Sequence, residues 1–160
     1  MCKMGDFLPE EELIEYAKPY LKNKGYKKKN KRWTKEVGNF TVVFFIQGSF
    51  FSKEDYYIRP GVFINAVEHS PMDYYGHFDT QIEQTTPQKV MEDFEAWSEE
   101  WTNKALIKKR LLAFIKWDER HPCRDGERKC GLISCIFEPK PEREFLGLTT
   151  EAKQYILENF

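Results

Sequence analysis

One set of residues with the chemistry of an active site is a pair of histidines close to carboxylates. His69 and His77 flank a loop that contains Asp73, and Glu68 and Asp79 stand just outside the pair. Such groups can serve as general acid and base or hold a metal, although histidines in a polar surface loop are the ordinary alternative. No Ser-His-Asp order, phosphate loop or dinucleotide fingerprint accompanies them. The sequence therefore favours a protein that is not an enzyme.

The candidate metal set consists of three cysteines and a histidine near the C-terminal end. Six residues separate Cys123 from Cys130, four separate Cys130 from Cys135, and His121 precedes them. Structural zinc usually needs two ligand pairs, each separated by about two to four residues, and only half of that pattern is present. A Cys123–Cys130 disulfide and ordinary free thiols are the alternatives. We predict no metal and no cofactor.

Polar residues inside otherwise apolar strands form a second type of candidate site. Gln47, Arg59 and Asn65 interrupt apolar runs. If their side chains converge on one sheet face, they form a polar pocket floor beside Trp33 and Tyr57, suited to a small ligand or a nucleotide. Buried polar groups need partners, so mutual hydrogen bonds or bonds to a loop backbone are the alternative.

A basic run precedes Trp33 and could contact phosphate groups while the indole stacks on a base. The alternative is a solvated hairpin edge, where lysines discourage edge-to-edge aggregation. Basic residues on a strand alternate sides, which dilutes such a patch, and we expect no nucleic-acid partner. The run comprises Lys22, Lys24, Lys27, Lys28, Lys29, Lys31 and Arg32.

An acidic run lies on a predicted helix, largely away from its apolar stripe. The stripe is Val90, Phe94, Trp97 and Trp101, and the acids are Glu92, Asp93, Glu95, Glu99 and Glu100. Such a run is typical of the solvated face of an amphipathic helix. It is also a surface that a basic partner could bind, chiefly through Glu92 and Glu99. An exposed Trp97 or Trp101 beside it would mark an interface.

The elements that position these residues follow from residue periodicity. A helix is predicted over Pro9–Lys24, with a kink or an end at Pro19 and Gly25 as a left-handed cap. The predicted strands are Tyr26–Lys29, Arg32–Val37, Phe40–Gln47 and Tyr56–Val67, with a weaker one over His77–Ile82 and a hairpin turn at Gly38-Asn39. Apolar residues on both faces make Phe40–Gln47 a central strand, whereas Pro60-Gly61 predicts an edge or a bulge in the next strand.

The second half of the chain is predicted to be mainly helical. Thr86 is an N-cap with Pro87 at the first helical position, and a further helical stretch covers Ala105–Trp117. Thr102-Asn103 is either a break between two helices or a polar turn of one long helix. A short strand over Gly131–Phe137 and a helix over Thr150–Glu158 follow. The sum is an α+β fold in which a small antiparallel sheet packs against helices. We predict one domain over residues 1–160, with a core over about 9–118 and an extension over 119–160.

Composition limits the location and the partners. The chain has 160 residues, 41% hydrophobic and 32% charged, with a net charge of −1. No apolar segment resembles a signal peptide or a membrane span. Four cysteines without an export signal are typical of reduced thiols. We expect a soluble cytoplasmic protein with no membrane partner.

Four segments together resemble a bacterial family called domain of unknown function 4304. They are Gly25–Lys29, Arg32-Trp33, Val42–Gln47 and Tyr57–Phe63. Phe45-Ile46-Gln47 and Gly61 match the family pattern, and Arg59 stands where that pattern has Asn. The resemblance covers roughly residues 10 to 117 and implies a fold, because the family has no established activity.

Our leading hypothesis is a non-enzymatic cytoplasmic domain that binds another protein, as the immunity-type inhibitors of bacterial toxins do. The alternative is a small-ligand or nucleotide-binding domain that uses Gln47, Arg59 and Trp33. A third hypothesis, an enzyme built on the loop between His69 and His77, requires those histidines to lie within reach of each other and of Asp73.

Overall fold

The computed structural model describes residues 7–49, 55–70, 74–120, 145 and 148–160. They belong to two compact units, residues 1–102 and 103–160, each considered by itself below. The helices are α1 (Glu10–Asn23), α2 (Pro87–Glu100), α3 (Lys104–Arg120) and α4 (Thr150–Asn159). The strands are β1 (Lys27–Lys29), β2 (Arg32–Val37), β3 (Phe40–Gly48), β4 (Tyr56–Ile64) and β5 (Phe78–Asp79). The predicted α+β class is confirmed.

Some predictions fall outside these residues. The cysteines at 123, 130 and 135, His121 and the strand predicted over Gly131–Phe137 all lie there. Whether the chain forms a single domain stays a prediction. Across the described ranges, every helix is too short or too polar to cross a bilayer.

Helix α1 begins after Pro9 and buries Leu13, Ala17 and Leu21 on one side. Of the two outcomes predicted at Pro19, the end does not occur, since the helix continues to Asn23, and the kink stays a prediction. Pro19 lies on the exposed side, and burial of Ala17 and Leu21 on the opposite side secures the turns around it. Gly25 follows with a φ of +92°, as expected for a left-handed cap.

The sheet is antiparallel, with its strands in the order of the chain. The turns at Asn30 and Gly38 have φ values of 59° and 58°, the left-handed conformation of tight hairpins. Strand β3 lies at the centre, as predicted.

The predicted edge or bulge at Pro60 is wrong, because β4 pairs with β3 on one side and with β5 on the other. Its register with β3 runs without a bulge through Phe44 opposite Pro60. The Pro60 carbonyl accepts from the Thr80 amide at 3.1 Å. In an antiparallel strand the nitrogen and oxygen of one residue point to the same side, so the missing N–H faces β5. Strand β5 pairs only with Gly61 and Val62, and the β3 ladder therefore loses nothing.

One face of the sheet, here called the inner face, packs on α2. The rings of Phe44 and Phe94 meet edge to face with centroids 4.9 Å apart. The ring centroid of Trp33 lies 5.8 Å from that of Phe44. Thr86 accepts the Lys89 amide and caps α2, as the sequence predicted. Burial of these rings supplies the main stabilisation of the first unit.

The second unit consists of α3 and α4 with Phe145 between their sequences. Asn103 caps α3 by accepting the Leu106 amide at 3.1 Å, so of the two alternatives at Thr102-Asn103 the break between two helices is the correct one. The buried side of α3 includes Phe114, whose ring lies 5.7 Å from that of Phe145. Helix α4, predicted over Thr150–Glu158, buries Ala152 and Ile156, whereas Tyr155 is half-buried.

Candidate functional site

Strand pairing places a row of basic side chains on the face of the sheet opposite α2, here called the outer face. Lys29 pairs with Arg32, Arg32 with Phe45, and Phe45 with Arg59. Directly paired residues point to the same face. The three basic residues Lys29, Arg32 and Arg59, with Phe45 between the two arginines, are here called the basic row. Because neighbouring strands lie about 4.8 Å apart, this row extends over about 14 Å.

Aromatic rings hold both guanidinium groups of the basic row. The Cζ atom of Arg32 lies 5.7 Å from the ring centroid of Phe45 and 6.0 Å from that of Tyr74. The Cζ atom of Arg59 lies 4.9 Å from the centroid of Tyr75 and 5.7 Å from that of Tyr57. These are cation–π distances, and they orient each guanidinium without neutralising its charge.

Acidic side chains do not neutralise these arginines within the part of the chain that the structure describes. The ion pairs found there connect Lys24, Lys31 and Lys89 to carboxylates, and neither Arg32 nor Arg59 takes part. Two buried atoms on this face also have no hydrogen-bond partner, the Nε of Arg59 and the Oε1 of Gln47. Buried polar atoms are nearly always paired, so an unpaired donor and an unpaired acceptor on the same face favour a ligand site.

A cavity of about 360 Å³ adjoins the basic row at Arg32. Its lining includes Thr41, Phe63, Asn65 and His69. The Thr41 hydroxyl donates to the Asn65 Oδ1 at 2.6 Å, so this amide oxygen already has a partner. The cavity therefore combines the cationic group of Arg32 with the aromatic side chain of Phe63. Such a lining suits an anion.

Two glycines allow the chain to cross this face closely. A Cβ atom on Gly61 would lie 1.7 Å from the Tyr75 carbonyl oxygen. At Gly76 a Cβ atom would lie 2.7 Å from the Phe78 oxygen and from the Val62 nitrogen. The crossing segment carries Tyr75 over Arg59. The glycine match to the family pattern at position 61 thus has a physical reason in this close approach.

The structure brings together most of the residues predicted to form a polar pocket. Gln47, Tyr57 and Arg59 share the outer face, and Asn65 lines the cavity on that face. The expectation that Trp33 lies beside them is corrected. Trp33 pairs with Phe44 on the inner face and is 1% exposed, because successive residues of a strand point to opposite faces.

The acidic face of α2 is only partly free. Glu92 and Glu99 are exposed, whereas Glu95 accepts the Tyr20 hydroxyl and lies 3.7 Å from the Lys24 amine. This hydrogen bond is the main reason that the pKa of Tyr20 rises to about 12.

The two tryptophans predicted to mark an interface are not equally exposed. Trp101 is 2% exposed, and its ring packs against that of Phe78 with centroids 4.7 Å apart. Trp97, in contrast, is half-buried. Of the two, only Trp97 leaves part of its ring to a partner.

Of the two histidines, His77 serves the fold. His77 is buried, and its Nδ1 accepts the Ile64 amide at 2.9 Å. Its Nε2 lies 3.4 Å from the Glu68 carbonyl oxygen, which suits a neutral ring protonated at Nε2. The ring of His69 lies 6.5 Å away, and Asp73 is outside the described residues. His77 thus gives the Ile64 amide, at the end of β4, the acceptor that β5 does not supply there.

Sequence reasoning did not select Arg32 as a site residue. Arg32 belongs to the basic run, whose residues alternate between the two faces of the sheet as expected. Lys28 shows this, since its amine lies 5.6 Å from the ring centroid of Trp33, a residue of the inner face. Pairing across strands, not proximity along the chain, joins Arg32 to Arg59. The signal that could have found it is the register set by the Gly38-Asn39 hairpin.

Comparison with known proteins identifies a family but no activity. A protein-family model described as domain of unknown function (DUF4304) matches residues 17–110. No curated protein and no solved structure matches the chain.

Proposed function

The chain belongs to the DUF4304 family, whose description assigns no activity, and from this premise we propose that it binds a small anionic ligand on the outer face of its sheet. The observation that carries the proposal is the state of Arg32 and Arg59. Both guanidinium groups are fixed by rings and lack a carboxylate partner among the described residues. Holding two unneutralised cations on one face is electrostatically costly, and an anion offsets that cost.

The chemistry of the face favours a nucleotide. Guanidinium groups bind phosphate oxygens with paired, charge-assisted hydrogen bonds. The buried Gln47 Oε1 needs a donor, which the amino group of a base supplies, and the buried Arg59 Nε needs an acceptor. The rings of Phe45, Tyr57 and Tyr75 offer stacking surface beside them. A nucleotide combines all three features, and it fits the cytoplasmic location expected from the cysteines.

The hypothesis of protein binding through α2 stays a prediction. Glu92 and Glu99 are available to a basic partner, but burial of Trp101 removes part of the aromatic surface that such an interface was expected to use. The outer face of the sheet therefore has the stronger support.

The test is isothermal titration calorimetry with ATP, GTP, pyrophosphate and citrate. We expect a nucleotide to bind, and the double variant Arg32→Gln/Arg59→Gln to bind at least about tenfold more weakly, since a charged hydrogen bond contributes about 1.5–3 kcal/mol. The matched control Lys18→Gln/Lys22→Gln removes two charges from exposed positions of α1 and should leave the affinity within about twofold.

Equal losses in the two double variants would show a nonspecific charge effect and reject the site. Absence of binding by all four ligands would reject the proposed function. Pyrophosphate binding as tight as that of the nucleotides would remove the role given to Gln47 and leave an anion site at the arginines.

A further inference from the structure

We infer that the exposed side of α3 is a docking groove for an acidic amphipathic helix of a partner protein. This inference goes beyond ligand binding on the sheet and depends on residues of the second unit alone. The groove has a volume of about 680 Å³. Its walls are four lysines, Lys104, Lys108, Lys109 and Lys116.

The floor of the groove is apolar and unusually open for such residues. It consists of Ala105, Leu112, Ala113 and Phe160. Leu112 is 46% exposed, one of the few large apolar side chains so exposed in the described residues. Its exposure leaves apolar area that a partner could remove from water.

Helical periodicity explains the arrangement. Lys104, Lys108, Leu112 and Lys116 recur at intervals of four, and Ala105, Lys109 and Ala113 form the adjacent row. With a rise of about 1.5 Å per residue, the groove extends over about 18 Å, the length of a partner helix of about three turns.

Among the described residues of the second unit, α3 buries mainly the side opposite the groove. Ile107, Leu111 and Phe114 form the buried side of α3, where Phe114 packs on Phe145. Phe160 closes one end of the groove, with the Lys104 amine 5.9 Å from its ring centroid and the Tyr155 ring 5.9 Å away. Phe160 thus bounds the groove at the Lys104 end, and Leu112 stays exposed.

Charge and shape decide the occupant. Every charged side chain in the lining is a lysine, so the complement is acidic. Ala105 and Ala113 are small enough for the side chains of another helix to enter between the lysines, as in the grooves that bind amphipathic helices. A membrane-surface helix would instead present large apolar side chains along a convex face. The geometry therefore favours an acidic helix over an anionic lipid surface.

The experiment measures fluorescence anisotropy of a labelled synthetic peptide with the whole chain. The probe is a helical peptide of about four turns with leucines at intervals of three and four and glutamates on both flanks of that stripe. The control peptide carries glutamine in place of each glutamate. We expect saturable binding of the acidic peptide, at least about tenfold weaker binding of the control, and a steep loss of affinity as salt is raised.

Protein variants locate the binding. Lys108→Glu/Lys109→Glu should weaken peptide binding at least about tenfold, and Leu112→Ser should weaken it about threefold or more. The matched control Lys18→Glu/Lys22→Glu makes the same change of charge on α1 and should bind normally. Nucleotide binding should stay unchanged in Lys108→Glu/Lys109→Glu, which separates failure of this inference from failure of the proposed function.

Three results would overturn the inference. They are absence of saturable binding by the acidic peptide, equal losses in the α3 and α1 double variants, and tighter binding of vesicles of phosphatidylserine and phosphatidylcholine than of the peptide. The last result would assign the lysines to a lipid surface.

Discussion

Gly61 is the position where a single added carbon should disturb both the fold and the candidate site. In Gly61→Ala the new Cβ atom would lie 1.7 Å from the Tyr75 carbonyl oxygen and 2.8 Å from its carbon, whereas ordinary van der Waals contact begins at 3.4 Å. Either β4 or the crossing segment must therefore move by about 1.7 Å. The obstacle is backbone, so a change of side-chain rotamer cannot relieve it.

The cost of this displacement follows from two contributions. Overpacking of a close-packed region costs about 1–3 kcal/mol, and a backbone obstacle places Gly61→Ala at the upper end. Movement of Tyr75 away from Arg59 loses a cation–π contact of about 0.5–1 kcal/mol. Together they predict a loss of about 3.5–4 kcal/mol in the free energy of unfolding. For a chain of this length that lowers Tm by roughly 7–16 °C.

The assay is urea and thermal unfolding followed by circular dichroism, with Gly48→Ala as the matched control. Gly48 ends β3, and a Cβ atom there would meet nothing within 4 Å. Gly48→Ala should be neutral or stabilise by up to about 1 kcal/mol, because alanine restricts the unfolded chain. If Gly61→Ala is as stable as Gly48→Ala, the chain does not cross Gly61 as described and the reasoning fails.

Two further predictions concern His77 and the buried tyrosines. His77→Leu should destabilise the fold by about 1–3 kcal/mol in urea unfolding, because the Ile64 amide loses its acceptor. His77→Asn should lose less stability, because its Oδ1 can replace Nδ1 as the acceptor. Equal losses in the two variants would argue against the hydrogen bond. Burial raises the pKa of Tyr26 and Tyr56 to about 12, above the value of about 10 in the unfolded chain. The unfolded state therefore releases these protons first, so this contribution to stability is present below pH 10 and is lost between about pH 10 and 12. Urea unfolding in that range should show a smaller pH dependence for Tyr56→Phe, and tyrosinate absorbance that rises for all eight tyrosines near pH 10 would contradict the shift.

Local signals in the sequence were sufficient to predict most elements of the first unit. The caps at Gly25 and Thr86 and the turn at Gly38 depend on a few neighbouring residues, and the structure has all three. The main error among these elements came from Pro60. A proline lacks a backbone N–H donor, and a local rule expects an edge strand or a bulge where that donor is missing. In the structure Pro60 directs its missing donor toward the short strand β5, which a local rule cannot anticipate.

The candidate site was predictable only in part. Gln47 and Arg59 were predicted as site residues because they are polar residues in apolar strands, and they do share a face with Tyr57. Trp33 was expected with them because it is aromatic and follows the basic run, but one step along a strand reverses the direction of a side chain. Arg32 precedes Trp33 by one residue and for the same reason belongs to the outer face.

The sequence by itself determined the type of each main element, because capping, turn conformation and apolar periodicity act over a few residues. It also determined that the domain would be α+β. Only the tertiary structure decided that Arg32 and Arg59 flank Phe45 without an acid between them, and that Tyr75 lies over Arg59. The reason is that cross-strand register and the path of the crossing segment depend on contacts between residues distant in the chain, which local propensities do not encode.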